Sequence, residues 1–272
     1  MATSHIIFTQ LSKRTLSKHT KHQAHIIYIY IFTNKNMKTI CYIVAMVAEA
    51  KPFIDRYGIK KVDNFFSPLP CQLYEGEVEG TRLCVVLNGQ MHGSDLVGCE
   101  AASVSTTAAI QRLDPDLIIN SGTCGAFRKH GAEIAEVYIG NKAMFHDRRV
   151  PGDDNWQTQS IGNYNVWPGS ETLAHSLGMK MGKVTTGSSL DMQPCDLEVI
   201  ETNGGQLKDM EGAAVAFVCS LFSKPILFVK SVTDLCDSGA ETYEEFSRNL
   251  GRACETLKAA NERIIDYLTK SL

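Results

Sequence analysis

From Lys38 onward the chain alternates short apolar, β-rich runs with stretches of helical periodicity, and this alternation leaves little choice of fold. TICYIVAM (39–46), RLCVVL (82–87), DLIIN (116–120), AEVYIGNKAMF (135–145), MKMGKVTTG (179–187) and PILFVKSV (225–232) read as strands. Several are apolar along their whole length, as strands covered on both faces must be. Between them lie helical patterns, the clearest being the 3.6-residue period of Phe246, Leu250, Ala253, Leu257, Ala260, Ile264 and Leu268. Strands and helices in turn predict an α/β protein, with helices on both faces of the sheet.

Local signals set provisional boundaries. Cys71 to Glu79 and Arg82 to Leu87 flank Gly80-Thr81 and predict a hairpin. Ser94-Asp95 offers a cap for a helix from Leu96 to Leu113, whose AASVSTTAA core would sit close to a sheet. Ser170 is placed to cap ETLAHSL, Gly178 to end it, and Pro194 to open CDLEVIET. HDRRVPGDDNWQTQSIGNYNVWPGS reads as one long polar loop, a length more often functional or interfacial than idle. LIINSGTCGAF (117–127) reads as a strand followed by a glycine turn, suited to close approach of a ligand to the backbone.

Charge and cysteine usage narrow the function classes. Residues 1–36 carry five cations and no carboxylate, so the formal net charge of -3 hides an acidic remainder of 22 Lys and Arg against 30 Asp and Glu. An acidic domain is not the footprint of a nucleic-acid binder. Nine cysteines, odd in number and without a C-x-x-C pair, read as reduced thiols of a cytoplasmic protein, not as a disulfide or zinc framework. The domain reading is a basic extension over 1–36, either a disordered tail or a transit-like segment, followed by a catalytic domain over 37–272. IIYIYIF in the extension is far short of the ~20 residues a membrane span requires. No membrane partner is expected.

Three carboxylates stand at predicted strand ends, where open α/β sheets place their ligands: Glu49 after AMVA, Glu211 after LKDM, and Asp234 after KSVT. One such acid is most simply a solvated helix cap, but three following apolar strands are harder to assign that way. His146, Arg148 and Arg149 sit on the long polar loop, without a serine or cysteine placed as nucleophile, and GSS (187–189) lacks nucleophile-elbow spacing.

The ordered set AMVAEA, INSGTCGAF, TTGSSLDM, KDMEGAAVA and KSVTDLCD resembles the nucleoside phosphorylase/nucleosidase superfamily. FHDRRVP and TYEEF bring it nearest to the plant-type 5'-methylthioadenosine nucleosidases. The resemblance spans nearly all of 37–272. It implies a single-domain, three-layer α/β/α fold with a mixed central sheet, a nucleoside substrate, a homodimer, and hydrolysis that needs neither metal nor cofactor. By the same resemblance Asp234 is the general acid toward the base, Glu49 orients and deprotonates water, and Glu211 accepts the ribose hydroxyls beside the Met210 amide. Met46, Met210 and Phe246 surround the sugar and alkylthio group, Leu190 and Met192 border the adenine, and Thr123 lies near base or sugar.

Two alternatives share the fold. A phosphorylase of the bacterial type would carry an arginine at the position of Asn120, and a glycine-rich phosphate loop where this chain has AMVAEA. An amide does not replace a guanidinium against a phosphate dianion. A storage-type relative would be expected to have lost one or more of the three acids, and all are present. Cleavage of S-adenosylhomocysteine is left open.

Overall fold

Period-two alternation in the apolar runs builds the sheet of the computed structural model, which describes residues 37–270. The extension expected over residues 1–36 lies outside the described residues. In β1 (Thr39–Val44), Ile40, Tyr42 and Val44 enter one core, and Cys41 and Ile43 enter the other. Helix α1 (Val47–Tyr57) follows, then β2 (Lys60–Val62), β3 (Gln72–Val78) and β4 (Thr81–Leu87). The β3–β4 hairpin forms with its turn at Glu79-Gly80, both at positive φ (50° and 78°), one residue ahead of the predicted Gly80-Thr81. That is the twist a tight hairpin requires.

A small hairpin, β5 (Gln90–Met91) and β6 (Ser94–Asp95), precedes α2 (Cys99–Leu113). Ser94-Asp95 therefore does not cap α2, which starts after Gly98 without a side-chain cap. The Asp95 carboxylate instead accepts the Val47 N–H at 3.0 Å and caps α1. The chain continues through β7 (Leu117–Ala126), β8 (Val137–Phe145), α3 (Asp154–Ile161), β9 (Tyr164–Asn165), α4 (Ser170–Leu177), β10 (Lys180–Thr186) and α5 (Pro194–Thr202). It closes with β11 (Leu207–Asp209), α6 (Gly212–Leu221), β12 (Ile226–Leu235) and α7 (Thr242–Lys270). The long polar loop thus contains α3, capped by Asp153, and β9, which pairs with β8. Gly169, not Ser170, is the cap residue of α4; the Ser170 hydroxyl is buried without a hydrogen-bond partner.

The main sheet runs β11-β10-β8-β12-β7-β1-β4-β3-β2 and is mixed, as expected. Parallel β1 pairs with β4 and β7, while β12 is parallel to β7 and antiparallel to β8. β11 also pairs antiparallel with β7, through Leu207–Ala126 and Lys208–Gly125. That pairing closes β7, β12, β8, β10 and β11 into a ring, which the alternation of runs does not reveal. One face is covered by α2 and α6, whose small buried residues, such as Ala102, Ala109, Ala213 and Ala216, let the two helices approach each other. The other face is covered by α1, α4 and α7 through Phe53, Leu173, Leu257 and Ile264. This is a three-layer α/β fold with a mixed central sheet, as expected.

Candidate active site

The glycines of GTCG do not form a turn. β7 runs straight through them as a continuous strand, so the turn read from the sequence is corrected. Their missing side chains serve a different purpose. A Cβ on Gly122 would lie 3.1 Å from Glu49 Oε1, and one on Gly125 would lie 2.7 Å from Asp234 Oδ2 and 2.8 Å from Cys236 Sγ. Contacts that short displace one partner. The two glycines make room for two carboxylates arriving from α1 and β12.

Glu49 sits in the first turn of α1, 5% exposed. Its Oε1 accepts the Thr123 N–H (2.7 Å) and the Thr123 hydroxyl (2.8 Å), and Oε2 accepts the Met46 N–H at 3.2 Å. Desolvation nevertheless raises its pKa, against the pull of those bonds and of Lys230.

Asp234 reaches the site through a bulge. Val232 pairs with Cys124 and Asp234 with Gly125, so Thr233 is an extra residue in β12, and both Thr233 and Asp234 border the same cavity. Asp234 is 5% exposed, and its Oδ1 accepts the Thr233 hydroxyl at 2.8 Å. Burial raises its pKa. Asn249 of α7 donates to the Thr233 carbonyl at 2.8 Å and holds the bulge.

Glu211 precedes α6, and its Oε1 accepts the Gly98 N–H at 2.7 Å. Desolvation, reinforced by the charge of Asp209, pushes its pKa up to about 7. Beneath it, Lys230 and Asp209 form an ion pair at 2.7 Å, each side chain 1% exposed. Asp209 also accepts the Thr186 hydroxyl (2.5 Å) and the Gly212 N–H (2.9 Å), and Thr186 Oγ1 in turn accepts the Ala213 N–H at 2.8 Å.

These groups border one cavity of about 220 Å³. It brings together Glu49, Glu211, Asp234, Met46, Met210, Thr123, Leu190 and Phe246 from the sequence reading. Met192 is not among the lining residues and lies half-buried beyond it. Asn120, expected at the phosphate end, donates to the Ile43 carbonyl at 3.2 Å, is buried within the sheet and does not touch the cavity. Sequence reasoning missed Lys208, Asp209, Thr233 and Val97, which complete the wall together with Ala45, Cys124 and Gly125. A lysine next to an aspartate in the short strand LKD, between two apolar residues, was the available signal for Lys208. Among the described residues no group of three or more His, Cys, Asp or Glu is arranged to hold a metal ion, and no helix is long and apolar enough to cross a membrane.

A ring-closed mixed sheet between two helical layers thus carries three carboxylates on one small cavity. The chain belongs to the phosphorylase superfamily, whose family model matches residues 39–266. It is 38% identical to the 5'-methylthioadenosine nucleosidase of Arabidopsis thaliana over 238 residues, 85% of this chain and 88% of the relative. To the 5'-methylthioadenosine/S-adenosylhomocysteine nucleosidase of the same plant it is 37% identical, covering 86% and 92%. The solved apo structure of Arabidopsis 5'-methylthioadenosine nucleosidase superposes with a TM-score of 0.84 at 37% identity, covering 88% of this chain and all of that one.

Proposed function

We propose that this protein hydrolyses the N-ribosidic bond of 5'-methylthioadenosine to adenine and 5-methylthioribose. The observation that carries the reading is the placement of three carboxylates around one cavity whose only lining cation, among the described residues, is Lys208. The names of the two Arabidopsis relatives supply the substrate.

Cleaving this bond requires a proton for the departing base, a positioned water, and tolerance of a cationic sugar between them. Asp234, its pKa raised by burial, is the acid that protonates the base. Glu49, anchored at both oxygens, orients water and takes its proton. Glu211 accepts the ribose hydroxyls, and its negative charge favours an oxocarbenium-like transition state. Met46, Met210, Phe246 and Val97 give a soft apolar wall suited to a thioether.

Phosphorolysis is the competing reading. A phosphate dianion in this cavity would meet three carboxylates, Glu49, Glu211 and Asp234, against one lining lysine, Lys208, among the described residues, so water is the better nucleophile here. The deciding experiment incubates the protein with methylthioadenosine, with and without phosphate, and identifies the sugar. Methylthioribose in both arms supports hydrolysis; a phosphorylated sugar formed only with phosphate overturns it. One plant relative takes its name from both substrates, so S-adenosylhomocysteine belongs in the same assay.

A homodimer fits the exposed apolar side chains of two neighbouring helices, Val104 on α2 and Phe217 and Leu221 on α6. Light scattering on the eluted peak should give twice the chain mass, and a monomer at micromolar concentration would count against it. Nine free cysteines suit a reducing compartment, and the cytoplasm is our assignment.

A further inference from the structure

Lys208 is a buried cation that the roles above leave unassigned. It is 6% exposed, borders the cavity, and forms no ion pair among the described residues. Burying an ammonium is costly unless hydrogen bonds replace its water. Here two do: Nζ donates to the Ser189 carbonyl at 2.9 Å and to the Leu190 carbonyl at 2.8 Å. These carbonyls belong to the loop between β10 and α5, whose Leu190 side chain forms part of the cavity wall. At this end the loop is also held by the Gly187 N–H, which donates to the Asp209 carbonyl at 3.1 Å, and by the Ser188 N–H, which donates to Asp147 at 2.7 Å.

The third ammonium proton is not used in either bond, and the strand register shows what lies beyond it. Gly125 of β7 is the partner of Lys208 on one side, in β11, and of Asp234 on the other, in β12. Lys208 and Asp234 therefore flank a residue with no side chain, and both face the cavity across it. The other ionisable groups around Asp234 are Glu245 from α7, Cys236 beyond the bulge and Cys124 from β7, with Glu49, Glu211 and Asp209 across the cavity; His146 and Asp147 lie on the far side of Lys208. Most of these neighbours are acidic. Lys230, paired with Asp209, offsets Glu49, Glu211 and Cys124, whereas Lys208 is the cation that acts on Asp234 and Cys236.

We propose that Lys208 is a positioning residue with two linked tasks: it fixes the Ser189–Leu190 wall against the bound base, and its charge, acting across Gly125, sets the protonation of Asp234. The direction follows from charge. A cation beside a carboxylate favours its ionised form, and Lys208 lowers the pKa of Asp234 while burial raises it. Replacing Lys208 with a neutral side chain should therefore move the loss of kcat/KM at high pH toward still higher pH, because Asp234 keeps its proton longer. The inference rests on the nucleosidase reading for its kinetic part, but not for its structural part.

Three variants separate the two tasks. Lys208→Met removes both donors and charge: KM for methylthioadenosine should rise about tenfold, as expected for lost charge-assisted hydrogen bonds, and the alkaline limb should shift upward. Lys208→Gln keeps an amide donor for the loop but no charge, so the limb should shift with a smaller rise in KM. Lys208→Arg keeps both and should return the limb to its wild-type position. Hydrogen exchange of the 187–193 amides should quicken in Lys208→Met whether or not the protein turns over this substrate. A wild-type protein without nucleosidase activity would defeat the functional reading, and unchanged exchange would defeat the tether. An alkaline limb unmoved in Lys208→Met and Lys208→Gln, or moved equally in Lys208→Arg, would overturn the electrostatic role. Should Lys208→Met fail to fold, Lys208→Gln against Lys208→Arg decides the question.

Discussion

Each of the three carboxylates owes its reactivity to a local imbalance between burial and hydrogen bonding. Asp234 has one hydroxyl on Oδ1, and burial raises its pKa, which is the state an acid requires before it meets the base. Asp234→Asn keeps the shape and loses the proton. It should reduce turnover about 100- to 10,000-fold, the usual size of general-acid catalysis, with the thermal transition intact; adenine release at near wild-type rate would sink the assignment. Glu211 exposes the cost of such tuning. Its pKa stands at about 7, so between the ordinary carboxylate range and pH 7 the folded protein holds a proton that the unfolded chain has released. Stability therefore falls as pH rises through that window, and the penalty is fully present above it. Glu211→Gln retains an oxygen for the Gly98 N–H and removes the buried charge. It should be more stable than wild type by about 1–3 kcal/mol at pH 8, with the difference disappearing near pH 4, while KM rises. Urea unfolding at the two pH values checks the sign, and a variant less stable at pH 8 would refute it.

Strand β7 is where element and site meet, because it gives up side chains so that its neighbours can place theirs. The two glycines are not equivalent. At Gly122 an added methyl would press on Glu49 at 3.1 Å, a contact that small shifts can relieve, whereas at Gly125 it would strike both Asp234 and Cys236 below 3 Å. Gly125→Ala should thus lower kcat more than Gly122→Ala, by about 100-fold if Asp234 moves by an ångström, and equal effects would argue against this account of the strand. The strand itself was legible in LIIN, since a short apolar run with a glycine close behind it has few other readings. The role of its glycines was not, because what they make room for arrives from α1 and β12, far along the chain. Hairpin β3–β4, the αL ending of α4 at Gly178 and the opening of α5 at Pro194 were readable for the same reason: each depends on residues within one turn of itself. The misplaced caps show the converse. Asp95 carries the right chemistry for a cap, but the N–H it serves, that of Val47, belongs to α1, brought near only by the fold. Eight of the nine proposed site residues line the cavity, since each lies in or beside a quoted motif. Met192 shares its motif with Leu190 but does not line the cavity.

At the scale of the whole molecule, the ring of β7, β12, β8, β10 and β11 sets the walls of the cavity, and the buried Lys230–Asp209 pair is its polar fastening. Lys230 comes from the middle of β12 and Asp209 from the end of β11, two strands that are not hydrogen-bonded to each other but both pair with β7. Asp209 further holds Thr186 at the end of β10 and the first N–H of α6, so one carboxylate joins three strands and a helix start. Such a pair contributes little net stability compared with apolar residues of the same size, because desolvation offsets the attraction. Breaking it is another matter. Lys230→Met would leave Asp209 as an uncompensated charge at 1% exposure, at a cost of about 3–5 kcal/mol, a large share of what holds a domain folded. Removing both charges, as Lys230→Met with Asp209→Leu, should recover part of that loss, since no stranded charge remains. Recovery should stay incomplete, because Thr186 and the Gly212 N–H lose their acceptor. The same double variant should still turn over poorly, since the Met210–Glu211 turn loses its anchor to β10. Urea unfolding of the two single variants and the double variant forms a cycle that tests this. Additive losses would mean that the two side chains do not act as a pair, and the ring would then owe its closure to the β11–β7 backbone bonds alone.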